Sequence, residues 1–354
     1  MPPGRRRVPS PRTAPFPSPL MQSIALALLL LVPQGNANQD TEARSAGARD
    51  RPVKVFVLAG QSNMQGHGRM HLGKDGDLDY AAAQDRFAYL RAEGEWVERE
   101  DVWYYHLSGK GEETKGNLRT GLGARADSIG PELTFGHLLG EHFDEQVLLI
   151  KCAWGGQALG MTFRPPSAGL PAYLDDKLER ARKKDPELTR AAFEERFGQR
   201  YRQVLAEVDA VLSNLEDTFP GYAGQGTELA GFFWHQGWND GCDKQFTEEY
   251  ASNMLHFVRD MRRDLGDPEL PFVIATSGMG GPDATGVAGG LAKTIEPAQR
   301  AAAETHERCT AVSTRSFQLH KPGRQKSHWH NSAESYCLVG EAAAQAMIAL
   351  LADE

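Results

Sequence analysis

Five short apolar runs rich in β-branched residues stand out along the chain: Val53 to Leu58, Val147 to Lys151, Leu229 to Phe233, Phe272 to Ala275 and Thr310 to Ser313. None alternates apolar with polar positions as a strand with one wet face would, so each is expected to be covered on both faces. Between them the spacing of apolar residues changes to three and four. Pro131 to His142 opens with a proline in the first turn beside Glu132, a helix start. From about Pro186 to Leu215, residues Phe193, Phe197, Tyr201, Leu205, Val208 and Leu212 fall on one helical face. Glu248 to Leu265 aligns Tyr250, Met254, Phe257 and Met261 and stops at Gly266, with Pro268 beyond. A last helix runs from about Ala333 to Ala352. Such alternation predicts an α/β protein, a three-layer α/β/α sandwich with a mostly parallel five-stranded sheet.

Two segments stand outside this cycle. Residues 65 to 128 form a long glycine-rich, aromatic-bearing insertion, expected to be irregular with a short hairpin, and residues 162 to 185 read as a loop running into a charged helix. The amino terminus is different again. Arg5, Arg6, Arg7 and Arg12 lie among prolines, Ile24 to Val32 is continuously apolar, and Gly35-Asn36-Ala37 offers the small-residue pattern of a signal-peptidase site. This predicts a signal peptide over residues 1–37, a linker over 38–50 and one domain over 51–354, in a secreted or periplasmic protein. No second long apolar run was found to follow, so no membrane partner is expected after cleavage.

Composition narrows the function further. With 354 residues, 40% of them hydrophobic, the chain can bury a large core. Its net charge of −8 includes the four leader arginines, so the body is more acidic still, which disfavours nucleic acid as a partner. Cys152, Cys242, Cys309 and Cys337 are too widely separated for a zinc ribbon, and at most one disulfide is expected.

In open parallel sheets ligands bind at the carboxyl ends of the strands. Ser62, in "VFVLAGQSNMQGHG", lies just past the first of these ends. The stretch lacks both the lysine of a phosphate loop and a GxGxxG spacing, and Met64 stands where a G-x-S-x-G elbow needs glycine. A lone serine there would ordinarily cap a helix. Its company at the other strand ends argues for more. A serine nucleophile needs a base within reach and donors aimed at the developing oxyanion. Gly155 and Gly156 can bring backbone N–H groups close, Gln236 can offer a carboxamide, and His330 or His328 can serve as the base.

The blocks "VLAGQSNMQGHG", "IGPELTFG", "LLIKCAWGG", "GFFWHQGWND" and "HWHNSAESYCLVG", in order from about residue 53 to 350, resemble the SGNH-hydrolase superfamily of flavodoxin-like fold. Within it they are most similar to the sialate O-acetylesterase and acetylxylan-esterase-like carbohydrate esterases. The resemblance implies a serine esterase acting on acetylated carbohydrates without a cofactor or metal. It places the nucleophile at Ser62, the oxyanion donors at Ser62, Gly156 (or its neighbour Gly155) and Gln236, and the base at His330. One block departs from the pattern. The family's acid precedes the base by three residues, yet here that position is Ser327 for His330 and Gln325 for His328. The group orienting the base is then Asp240, Glu334 or a backbone carbonyl, with Asp240 the choice because it sits at a strand mouth.

Further substrate contacts are expected from Gln61, Asn63, Trp154, Gly155, Arg164, Trp238, His328 and Trp329. Tryptophan faces suit sugar rings, and Arg164 suits a carboxylate. Two rival readings remain: a glycan-binding relative that has lost the catalytic acid, and a metal-dependent hydrolase using His328 and His330 with His235, Asp240 or Cys242.

Overall fold

The computed structural model describes residues 51–352; the signal peptide and the linker expected from the sequence lie outside the described residues. The central sheet has seven strands: β1 (Val53–Gly60), β2 (Arg99–Leu107), β3 (Glu113–Leu118), β4 (Val147–Ala153), β5 (Thr227–His235), β6 (Phe272–Ala275) and β7 (Cys309–Val312). Their order across the sheet is β7-β6-β5-β1-β4-β2-β3, and all pairings are parallel except the antiparallel β2–β3 edge. All five apolar runs are strands of this sheet. The two additional strands come from the insertion over 65–128, which therefore extends the sheet where only an irregular loop with a hairpin was expected.

Both faces of the sheet are covered, as its uniformly apolar strands require. On one face lie α1 (Glu132–His142) and the carboxyl-terminal helix Ala333–Ala352, joined by a hydrogen bond from Thr134 Oγ1 to the Cys337 carbonyl at 2.7 Å. Phe135 of α1 packs against Phe56 of β1 and Phe233 of β5. On the other face lie α2 (Gln199–Ser213), α3 (Lys244–Asp264) and α4 (Ile295–Thr305), with Phe257 of α3 against Phe232, Trp234 and Phe272. Phe232 and Trp234 point one way and Phe233 the other, the two-residue alternation of a strand. The helix Ala333–Ala352, here α5, is long and apolar enough by length and composition to cross a bilayer. Tyr336, Val339, Ala343 and Met347 on it are instead fully buried in the core.

The single helix expected over residues 186–215 is broken. Arg190–Glu194 and α2 are separate, because Gly198 between them has φ +73° and donates its N–H to the Met161 carbonyl. Phe193 and Phe197 consequently join a small satellite cluster with Leu174, Leu178 and Leu188, whereas Tyr201 and Val208 enter the main core. The other helices begin and end within a few residues of their expected limits. All four cysteines are free.

One buried ion pair fixes the floor of the strand ends. Lys151, the fifth residue of β4, and Glu132, the first of α1, are each 1% exposed and meet at 2.8 Å. The three ammonium protons of Lys151 are all used, on Glu132 Oε2 and on the carbonyls of Gln65 (2.8 Å) and Leu122 (3.2 Å), while Glu132 Oε1 accepts the Gly130 N–H. Burial pushes the Glu132 carboxyl up and the Lys151 ammonium down, and each charge opposes the other's shift. Removing one partner leaves the other charge buried alone. Lys151→Met is expected to lower the unfolding free energy by about 3–5 kcal/mol in urea denaturation, and a loss below about 1 kcal/mol would contradict this role.

Candidate active site

The central strand β1 is flanked by β4 and β5, and the three end level with one another: Gly60 is in register with Ala153 on one side and His235 on the other. The chain leaves these ends in three loops that share one crevice, the point at which the sheet's strand order switches direction. Ser62 opens a one-turn helix, Ser62–Gln65, directly after β1. Its Oγ lies 2.9 Å from His328 Nε2. The Ser62 and Asn63 N–H groups, at the start of that turn, have no partner within it. Gly155 borders the same spot, since a Cβ placed on it would lie 3.9 Å from Ser62 Cβ, whereas a Cβ on Gly156, φ +75°, would meet nothing within 4 Å.

The side chains flanking Ser62 are structural ties. Gln61 is 1% exposed; its Nε2 donates to Asn239 Oδ1 at 2.9 Å and its Oε1 accepts from the Gly237 and Asn239 N–H groups, each at 3.2 Å. Asn63 Nδ2 donates to the Ser327 carbonyl, and Asn63 Oδ1 accepts the Tyr336 hydroxyl, both at 2.9 Å. Gln61 thus fastens the serine turn to the loop after β5, and Asn63 fastens it to the segment that carries His328. Neither amide is presented to a ligand as expected from the sequence.

The histidine at the serine is His328, where the resemblance points to His330. His330 sits two residues further on, with its Nδ1 3.3 Å from the Gly323 carbonyl and no contact with Ser62. Trp329, His330 and Asn331 all have positive φ, at 50°, 51° and 63°, a left-handed turn that separates the two rings. Burial lowers the pKa of His328 from its ordinary value. Its Nδ1 is buried with no hydrogen-bond partner among the described residues.

Asp240 orients neither histidine. It is fully buried, which pushes its pKa up to about 6 against the opposing effect of the hydrogen bonds its oxygens accept from the Leu159 N–H (3.0 Å), the Gly160 N–H (2.8 Å) and Gln236 Nε2. Gln236 is turned inward with it, also donating to Gln61 Oε1 and the Gln157 carbonyl and accepting from the Tyr250 hydroxyl. Asn239, half-buried, meets the serine turn through Gln61: its carboxamide oxygen accepts from Gln61 Nε2 and its N–H donates to Gln61 Oε1. In "WHQGWND" polarity at a strand mouth is the only signal that marks Asn239, and Gln236 and Asp240 share it. Glu334 is engaged by Arg86 and lies 3.3 Å from His320.

The chain from residue 52 to 349 matches the model of the carbohydrate esterase, sialic acid-specific acetylesterase family. The chain belongs to that family. Among solved structures, a protein of Arabidopsis thaliana is similar at 18% identity, with a TM-score of 0.50 over 84% of this chain and 98% of that one. A carbohydrate acetylesterase from Xanthomonas citri is similar at 15% identity, TM-score 0.49, over 85% of this chain and 57% of that one. NanS is similar at 14% identity, TM-score 0.47, over 86% and 99%. No curated protein matches the chain. As a carbohydrate acetylesterase it hydrolyses O-acetyl esters, which a serine, an imidazole and convergent N–H groups in one crevice are equipped to do.

The remaining expected contacts divide by burial. Trp154 is 2% exposed, with its Nε1 on the Leu107 carbonyl and the Arg200 guanidinium over its face. Trp329 is fully buried. Arg164 is also buried, donating to Glu249 at 2.6 Å and to the Gly169 and Gly160 carbonyls, so its charge is already paired. Trp238, half-buried on the one-turn helix Trp238–Gly241, is the tryptophan of the three with a face toward solvent. His235 is fully enclosed, its Nδ1 3.2 Å from the Ala275 carbonyl, and no group of three or more metal-ligating side chains converges among the described residues.

Proposed function

We propose that the chain is an exported serine esterase that removes acetyl groups from carbohydrates through an acetyl-enzyme on Ser62. Export rests on the basic, then apolar, then small-residue order of its first 37 residues. The observation that carries the mechanism is the 2.9 Å contact of Ser62 Oγ with His328 Nε2. His328 accepts the hydroxyl proton as Oγ attacks the acetyl carbonyl carbon, and the carbonyl electrons move onto oxygen. The Ser62 N–H, the N–H groups of the Gly155–Gly156 turn and the Asn239 carboxamide are the donors for that oxyanion. Collapse breaks the bond to the sugar oxygen, which leaves with the proton from His328. Water then attacks the acetyl group, giving its proton to His328, and acetate departs as Ser62 recovers the hydrogen.

Ser62→Ala is expected to cut acetate release by roughly a thousandfold or more with the melting transition unchanged. Activity close to wild type would end the serine assignment.

The position of His328 also sets a pH dependence. Burial disfavours the imidazolium, so the ring stays neutral, and able to accept a proton, to lower pH than a free imidazole. The acid limb of kcat/KM is therefore expected to have its midpoint below 6.5, the ordinary value, with activity falling as pH drops through it. A midpoint above 6.5 would contradict this.

A further inference from the structure

The ring of His67 lies flat on the ring of His328, with centroids 4.0 Å apart and planes within 8° of parallel. We infer that His67 is the positioning residue for the base, holding the His328 ring in plane by stacking where other serine hydrolases use a carboxylate. This inference rests on the reading of Ser62 and His328 as nucleophile and base.

Stacked rings cannot exchange an in-plane N–H···N hydrogen bond, so His67 acts through its face and not as a relay to Nδ1. The surroundings show that the stack is held from both sides. Asn331 Nδ2 donates to the His67 carbonyl at 3.2 Å, tying the backbone of His67 to the left-handed turn beyond His328. Asn63 ties the same segment to the serine turn through Ser327. Among the described residues the groups expected to orient the base are engaged elsewhere: Asp240 faces Gln236 and the 159–160 backbone, and Glu334 faces Arg86.

The stack also has an electrostatic consequence. Proton transfer makes His328 an imidazolium, which is attracted to a neutral π face and repelled by a second cation. Burial, then the charges of His328, Arg125 and Lys151, lower the pKa of His67 to about 3, so it remains the neutral face. An aromatic ring without nitrogens should therefore substitute for it, and an aliphatic chain of similar volume should not.

The test compares His67→Phe and His67→Leu with wild type for acetate release, with melting temperatures as the check on folding. His67→Leu is expected to lose about tenfold in kcat with KM within about twofold, and His67→Phe to retain at least about a third of wild-type kcat. Wild-type kcat in His67→Leu, or equal losses in both variants, would overturn the inference. If His67→Leu does not fold, His67→Phe decides alone: retained kcat supports stacking, and a tenfold loss overturns it. Ser62→Ala and His328→Ala run alongside separate the two levels, because activity in either of them removes the underlying reading, whereas their inactivity with an unimpaired His67→Leu removes only the role of His67.

Discussion

The structure of the crevice depends on a hydrogen bond between two atoms that lie 266 residues apart, Ser62 Oγ and His328 Nε2. A bond of that kind contributes little net stability by itself, so its geometry has to be imposed by what surrounds each end. At the serine end, consecutive side chains are sent to different elements. Gln61 goes to the loop after β5, Ser62 to His328, and Asn63 to the backbone before His328. Beneath them the Lys151 ammonium fixes the last carbonyl of the serine turn. The two amides flanking the serine are therefore the means by which its rotamer and its neighbours are held.

At the histidine end the geometry comes from backbone conformation. Three consecutive non-glycine residues, Trp329, His330 and Asn331, adopt the left-handed region, at roughly 1–2 kcal/mol each. Burial of the Trp329 ring and the hydrogen bonds from Gly323 N–H to the His330 carbonyl and from His330 N–H to the Gln325 carbonyl hold the turn in place. The turn delivers His328 to the serine and directs His330 away. It also leaves Nδ1 enclosed with no partner among the described residues, so the ring is met by Ser62 at Nε2 and by the face of His67.

Much of this was legible in the residues. Uniformly apolar runs located five strands, because a strand covered on both faces has no freedom to be polar. The serine and the glycine pair were located by strand ends. The short hairpin expected in the insertion is present as β2 and β3, but its place at the edge of the central sheet was hidden, because β3, "ETKGNL", is a polar edge strand and β2 lies outside the alternation of strand and helix. The helix break at Gly198 was hidden because the apolar spacing continues across it. The resemblance points to His330 because it registers the block by sequence alone, and the left-handed turn over Trp329 to Asn331 that brings His328 to the serine instead has no signature in that register. Gln236 and Asp240 are polar at a strand mouth for a reason the chain alone does not show: they satisfy each other, and Asn239 next to them pairs with Gln61.

The central claim is that His328, and not His330, is the base for Ser62. Its most direct measurement is kcat for acetate release from an acetylated carbohydrate by His328→Ala and His330→Ala, prepared side by side. The account predicts a loss of roughly a thousandfold or more in His328→Ala and a change within about threefold in His330→Ala. The opposite ranking, with His330→Ala inactive and His328→Ala near wild type, would contradict it.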